Sequence, residues 1–313
     1  MKKVLITGGL GFVGGRLARK LSARHEVTVS SRNPIDKGIA KLHGISGSFL
    51  HQDLLDTGKF PQVDTVIHLA ALNETDCVKY PSEAIRVNID QSRQILENAV
   101  AVGVTNFIYF STAHVYRSPL TGFIDERTAP APQHPYSITH RAAEDYIIAA
   151  TLQKRIHGII LRLSNSFGAP VMPEVNRWTL LTNDLCRQAI EKGNMSLNTN
   201  GCQYRDFICL GDVEKAVERI SAVPYQFKQI VYNLGAGQSM RVLDMARAIA
   251  TEYVTLFERE IPLLLPVGSK ESKEPHLEFC IDGLKAEGIT PENNFGNELR
   301  ELLLFCEENF IKA

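Results

Sequence analysis

The stretch Thr7-Gly8-Gly9-Leu10-Gly11-Phe12-Val13-Gly14 constrains this chain more than any other. The apolar run Val4-Leu5-Ile6 leads into it, and a helical pattern with Leu17 and Leu21 on one face leads out. The order is strand, glycine-rich turn, helix. Gly9, Gly11 and Gly14 meet the spacing G-x-G-x-x-G. In that context the glycines serve a tight turn, a close backbone approach to a pyrophosphate, and close helix–strand packing. The free N–H groups and positive end of the helix beginning there favour a diphosphate.

After the first helix, Val27-Thr28-Val29 reads as a strand ending at Ser30-Ser31-Arg32. A site preferring NAD would place Asp or Glu here, about 20 residues past the loop, on the ribose 2′-hydroxyl. No acid is present. Ser31 and Arg32 suit a 2′-phosphate, Arg32 through its planar donor fork, unless Arg32 is an ordinary surface residue. The expected cofactor is NADP, with NAD as the alternative. A third strand around Phe49-Leu50-His51 runs into Gln52-Asp53-Leu54, where Asp53 either accepts from the adenine amine or caps the next turn. Val66–Leu69 is the fourth strand, and Ala70-Ala71 after it are small enough for a cofactor to approach the backbone.

A helical stretch over 81–102 carries Asn88, and a fifth strand, Phe107–Phe110, ends at Ser111-Thr112. Pro135-Tyr136 opens a helix running to about Lys154, with Tyr136 and His140 on one face. Gly158–Arg162 is the sixth strand, ending near Asn165 and Gly168. The alternation predicts an α/β fold with a Rossmann-like, doubly wound parallel sheet and its ligand crevice at the C-terminal ends of the strands. Beyond Gly168, helices over 179–192, 211–222, 239–253 and 298–309 and a strand over 230–234 predict a smaller C-terminal α/β lobe. Residues 1–168 are read as the dinucleotide-binding domain. Residues 169–313 are read as mainly a substrate-binding lobe, with 205–237 returning to the first.

The 313 residues allow one large domain or two modest ones. The net charge of −1 and scattered charges give no basic field for nucleic acid or an anionic membrane surface, so neither is an expected partner. No run approaches the roughly 18 apolar residues of a membrane span. A core strand, rather than a long apolar signal segment, follows Met-Lys-Lys, so a cytoplasmic protein is expected. Cys77, Cys186, Cys202, Cys209, Cys280 and Cys306 form no C-x-x-C pair and no zinc spacing with histidine. They read as free thiols, and no metal site is expected.

Together these segments resemble the extended short-chain dehydrogenase/reductase family, in its nucleotide-sugar epimerase, dehydratase and reductase branch. The matching residues are Thr7–Gly14, Gln52-Asp53-Leu54, His68-Leu69-Ala70-Ala71, Asn88, Phe110-Ser111-Thr112 with Val115-Tyr116, Pro135-Tyr136, and Arg162 with Asn165 and Gly168. Arg205-Asp206-Phe207, Asp212-Val213 and Asn233-Leu234-Gly235 with Gly237 continue the series. The resemblance implies a nicotinamide dinucleotide held by Gly8, Gly11, Phe12, Val13 and Gly14, with Leu54, Leu69, Ala70, Ala71, Asn88, Ser111, Tyr136 and His140 beside it. It implies a nucleotide-diphosphate sugar between the lobes, Tyr136 as acid and base, and Thr112 orienting the reacting oxygen. Asn165 and Arg205 then hold the diphosphate. A homodimer through the helices near Pro81–Val102 and Ser137–Lys154 is also implied, Ile147 and Ile148 being apolar residues that serve either such an interface or the core.

The chain departs from that pattern in four places. His140 stands where relatives carry lysine, which bonds the nicotinamide ribose and holds a positive charge near the tyrosine. Free histidine, with a pKa of about 6.5, is mostly neutral at pH 7. Ala113 and His114 replace the Asp-Glu pair of the 4,6-dehydratases, which argues against water elimination. Arg117 replaces a common glycine, and Lys270 and Lys273 lie near a diphosphate-binding arginine of relatives. The expected activity is a nucleotide-sugar epimerase or 4-ketosugar reductase. The alternative is a non-catalytic or weakly active NAD(P)-binding regulatory protein, because of His140.

Overall fold

A computed structural model of the chain describes residues 1–31, 37–50, 54–175, 177–268, 270 and 272–311. Arg32 and Asp53, both expected at the cofactor, lie outside the described residues, as do His51 and Gln52. Strands and helices alternate at first: β1 (Lys3–Thr7), α1 (Phe12–Leu21), β2 (Glu26–Ser30), α2 (Lys37–Leu42), β3 (Ser48–Leu50), β4 (Thr65–His68), α3 (Glu74–Lys79), α4 (Pro81–Ala84), α5 (Ser92–Ala101) and β5 (Asn106–Thr112). Then come β6 (Gly122–Ile124), α6 (Pro135–Leu152), β7 (His157–Leu163), β8 (Asn165–Phe167), α7 (Leu181–Lys192), β9 (Met195–Ser196), β10 (Tyr204–Cys209) and α8 (Leu210–Ala222). The rest adds β11 (Val231–Leu234), β12 (Ser239–Arg241), α9 (Val242–Phe257), β13 (Leu263–Leu264), β14 (Leu277–Phe279), α10 (Asp282–Ala286) and α11 (Phe295–Phe310).

Seven strands form one sheet in the order β11-β7-β5-β4-β1-β2-β3, every neighbouring pair parallel. This is the doubly wound α/β sheet that the strand–helix alternation predicts. The strand order reverses between β1 and β4, and the crevice opens at their C-terminal ends. Helices cover both faces, which is why the strands read as unbroken apolar runs. Alternation then divides each strand between two cores. Val4, Ile6, Ile108, Phe110, Ile159 and Leu161 enter the core under α1 and α8. Leu5, Phe107, Tyr109 and Ile160 enter the one under α5 and α6. Tyr109 thereby reaches the α6 side of the sheet.

A separate core joins Phe167, Trp178, Leu185, Phe207, Met245 and Leu302 in the C-terminal lobe. The lobes are tied by a buried network: Arg16 of α1 bonds Glu214 of α8 (2.5 Å) and Glu298 of α11 (3.1 Å). Glu298 also accepts from the Gly211 N–H (3.1 Å). A Cβ on Gly168, at φ +145°, would sit 2.1 Å from Glu298 Oε1, so only glycine lets the chain pass there. Against the sheet, α6 is pinned by Glu144, which accepts from Arg162 Nε (3.0 Å) and Nη2 (2.7 Å). No helix among the described residues is long and apolar enough to cross a membrane.

Three expectations change. The single helix over 81–102 is instead α4, a π-helical segment Ile85–Gln91 and α5. Asn88, inside that segment, turns inward and bonds the Leu72 backbone, widening the helical turn. The helix expected from Ser239 starts at Val242, because Ser239–Arg241 pairs antiparallel with Tyr204–Asp206. Ile147 is 2% exposed and Ile148 packs on the core, so neither offers an outer face. Ile138, Tyr146 and Leu152, at 47%, 46% and 71% exposure, are the large outward apolar residues of α6.

Candidate active site

The glycine loop takes its shape from steric necessity. Gly8 has φ +65°, and a Cβ on it would lie 3.0 Å from the Ala70 nitrogen. A Cβ on Gly14 would lie 2.2 Å from the Gly8 carbonyl oxygen. The Gly11 N–H donates to that same oxygen (2.9 Å), closing the turn. Gly11 caps α1 with no side chain, and no acidic residue occupies the first turn. The N–H groups there stay open to an anion. Phe12 is buried, and Val13 packs on the sheet.

A cleft of about 810 Å³ opens before this helix. Of the residues expected at the cofactor, Gly8, Gly11, Ser31, Leu54, Leu69, Ala70 and Ala71 line it, together with Thr7, Ser30 and His68. Its size, its uncapped helix N-terminus and its small-residue wall fit a dinucleotide. Asn88 sits behind the wall with its amide engaged by Leu72, Cys77 and Thr139. Ser111 is buried, and its Oγ has no partner among the described residues.

His68 stiffens the cleft floor. Thr7 Oγ1 accepts from the Leu69 and Ala70 N–H groups (3.2 Å each) and donates to His68 Nδ1 (2.7 Å). The Nε2 proton is then left for Ser92 Oγ (2.9 Å). Burial, with His140 nearby, pushes the His68 pKa down to about 3. An unfolded chain returns it to near 6.5, so between those values the unfolded state binds an extra proton and stability rises with pH. This amounts to at most about 1.4 kcal/mol per pH unit. In denaturant titrations from pH 7 to pH 4, the wild type is expected to lose stability faster than His68→Asn. Parallel curves would remove His68 as the cause.

Tyr136 stands at the start of α6, whose first turn is fixed by Pro135 and by His134. The His134 Nδ1 accepts from the Tyr136 N–H (3.2 Å), and Ser137 bonds back to the His134 backbone. Tyr136 is half-buried, and its ring meets His140 edge-on at a centroid distance of 4.4 Å. His140 is 3% exposed; its Nδ1 bonds the Tyr109 hydroxyl (2.8 Å), and its Nε2 has no partner among the described residues. Burial pushes the His140 pKa down to about 4, so the ring is neutral at pH 7. Burial and the Glu74 carboxylate push the Tyr136 phenol well above the usual value, and Arg177 pulls the other way.

Thr112 ends β5 and caps the turn Ala113–Val115, its Oγ1 accepting from the His114 N–H (3.2 Å). Its own proton remains to be donated. His114 is half-buried, its pKa lowered by burial and by Arg205. Arg205 has no hydrogen bond or ion pair among the described residues, and burial lowers its pKa. Asp206, its neighbour, points elsewhere and accepts from Ser164 Oγ (2.6 Å) and the Ala236 N–H (2.8 Å). Asn165 spends one amide proton on the Asp206 carbonyl (3.0 Å). Arg117 bonds the Thr121 carbonyl, and Lys270 and Lys273 are exposed. Sequence reasoning missed Glu74 and Arg177. They form an ion pair across the lobes (2.8 Å) beside Tyr136, in segments with no motif to flag them.

Comparison with known proteins agrees with this architecture. The chain is 27% identical over 305 residues to dTDP-L-rhamnose 4-epimerase of Burkholderia thailandensis, covering 80% of this chain and 81% of the relative. It is 28% identical over 285 residues to dTDP-glucose 4,6-dehydratase of Salmonella typhimurium, covering 79% and 75%. The fold superposes on UDP-glucuronic acid 4-epimerase of Bacillus cereus, solved with UDP-glucuronic acid and NAD. That match has a TM-score of 0.79 at 21% identity and covers 98% of this chain and 99% of the other. The model of the NAD dependent epimerase/dehydratase family matches residues 4–235, most of the chain, and the chain belongs to that family.

Proposed function

We propose that the chain is an NAD(P)-dependent enzyme acting on nucleotide-diphosphate sugars, as an epimerase or a 4-ketosugar reductase. The observation that carries the reading is a meeting at one edge of the sheet. The cleft before the uncapped N-terminus of α1 opens at the C-terminal ends of β1 and β4, and the neighbouring β5 ends in Thr112 and joins the helix of Tyr136 through the Tyr109–His140 bond. A bound nicotinamide supplies the hydride acceptor and donor. Tyr136 takes the proton of a sugar hydroxyl as the C–H bond gives up hydride, and returns it to the ketone in reverse. Thr112 donates to the same oxygen. Arg205, without a partner among the described residues, faces the diphosphate with a permanent charge, and Asn165 adds an amide N–H. NADP is preferred to NAD on the strength of Ser31 and Arg32, with no acid at the end of β2.

Water elimination is not supported by Ala113 and His114, which offer no carboxyl group after Thr112. The proposed assembly is a cytoplasmic homodimer, with Ile138 and Tyr146 of α6 among the outward apolar residues for it. His140 favours a second reading, a non-catalytic NAD(P)-binding protein, because a neutral imidazole places no charge beside Tyr136.

Mass spectrometry of the copurifying nucleotide, followed by assay with UDP- and dTDP-hexoses and their 4-keto forms, tests the proposal. Interconversion without net cofactor consumption is expected of an epimerase. NADPH consumed in proportion to product is expected of a reductase. Tight cofactor binding with no turnover of any sugar nucleotide would favour the second reading.

A further inference from the structure

We propose that Tyr109 is a positioning residue of the active site. Its hydroxyl locks the ring of His140 in one orientation and one tautomer, and that ring sets the place of Tyr136 relative to Thr112. This rests on the acid–base reading of Tyr136. His140 then acts on Tyr136 by packing, through neither charge nor proton transfer.

One strand, β5, supplies both ends of the arrangement. Thr112 is its last residue, and three residues earlier Tyr109 enters the core under α5 and α6. The Tyr109 backbone is flanked in register by His68 of β4 and Ile160 of β7. Its ring stacks on that of His68 at a centroid distance of 5.8 Å, with 25° between the planes. His68 is itself bonded to Thr7 and Ser92, so it offers a fixed backing. The Tyr109 hydroxyl meets His140 Nδ1 at 2.8 Å, and the His140 ring meets that of Tyr136 edge-on at 4.4 Å. A path of fixed contacts thus runs from Thr112 along β5 to Tyr109, across to His140, and one helical turn back along α6 to Tyr136.

Hydrogen-bond counting selects the tautomer. A neutral imidazole carries one N–H. If Tyr109 donates its proton to Nδ1, the imidazole proton sits on Nε2, and that N–H is the single group of the pair without a partner among the described residues. If Nδ1–H donates to the phenol oxygen instead, the Tyr109 proton and the Nε2 lone pair both lack one. A buried polar group left unbonded is costly, so the first arrangement prevails. Burial keeps both partners neutral: it holds Tyr109 protonated and pushes the His140 pKa down to about 4. Nδ1 is therefore committed to Tyr109 and Nε2 is enclosed. What His140 offers Tyr136 is a ring held from behind.

Wild type, Tyr109→Phe, His140→Phe, the double variant and Tyr136→Phe are compared by three readouts. 15N NMR of histidine-labelled protein at pH 7, without added ligand, reads the tautomer, with His140 assigned by its loss in His140→Phe. Sugar-nucleotide turnover and dinucleotide affinity are the other two. The wild type is expected to hold His140 as the Nε2–H tautomer alone, and Tyr109→Phe to populate both tautomers. Tyr109→Phe should lower turnover about 10- to 100-fold, the scale of a small displacement of a reacting group, with dinucleotide affinity within a few-fold of wild type. His140→Phe should lose a similar amount and the double variant no more, because each change breaks the same path. An Nδ1–H tautomer in the wild type would overturn the proposal whether or not the variants fold. Full turnover in Tyr109→Phe, or losses that multiply in the double variant, would also overturn it; with Tyr136→Phe inactive, the acid–base reading would still stand. Full turnover in Tyr136→Phe would overturn that reading itself, and the proposal with it.

Discussion

Tyr136→Phe is expected to cut turnover of the sugar nucleotide by about 10²- to 10⁴-fold, the usual contribution of a positioned acid–base group. Dinucleotide binding should stay within a few-fold of wild type. The reasoning is geometric. The change deletes one oxygen and keeps the ring that meets His140 at 4.4 Å. The helix start is held by Pro135, His134 and Ser137, none of which uses the phenol. The cleft proposed for the dinucleotide is lined by Gly8, Gly11 and Ala70, without Tyr136. No neighbour replaces the lost proton. His140 keeps Nδ1 on Tyr109 and has Nε2 buried, and Thr112 lies on a different element and serves as a donor. Steady-state turnover together with cofactor titration checks both halves. Turnover within about tenfold of wild type would remove Tyr136 from the chemistry.

The parts of the fold that were legible are those governed by short-range sterics. The glycine loop could be read because Gly8 needs a positive φ and Gly14 leaves no room for a Cβ, both local demands. The central strands could be read because a sheet covered on both faces requires apolar residues at odd and even positions alike. Long-range pairing hid the rest. Ser239–Arg241 has no strand signal of its own and becomes one only by pairing with Tyr204–Asp206. Adjacent opposite charges at Arg205 and Asp206 do not pair with each other. Successive strand residues point to opposite faces, and that sends Asp206 to the Ala236 backbone and leaves Arg205 without a partner among the described residues. At the site, Tyr136 and Thr112 carried a recognisable pattern, whereas Glu74 and Arg177 meet only because the lobes close on each other. Nor does the ordinary pKa of histidine foretell that His140 is neutral by a wide margin; burial against Tyr109 and Tyr136 decides it.

Glu144→Ala is expected to cost about 3–5 kcal/mol of stability, the range for removing one partner of a buried ion pair. The Glu144 and Arg162 side chains are 0% and 2% exposed, and two hydrogen bonds join them. Removing the carboxylate leaves a guanidinium that burial would penalise and that cannot shed its charge. Arg162 is not free to swing out, because its Cζ lies 4.6 Å over the ring of Tyr116. Tyr116 donates to Asn233 Oδ1 (2.7 Å), and Asn233 Nδ2 donates to the Cys280 carbonyl (2.9 Å). The pair therefore stands at the base of a chain running from α6 through β7 to β11 and the second lobe. Replacing both partners, with Glu144→Leu and Arg162→Met, should recover most of the loss, since the unpaired charge is the expensive element. Urea unfolding of the two single variants and the double variant measures this coupling. Single changes that each cost less than about 1 kcal/mol, the level of an exposed pair, would show that the pair does not hold α6 to the sheet. Because α6 carries Tyr136 and β7 pairs with the strand that ends in Thr112, the single variants should also lose turnover while still fully folded.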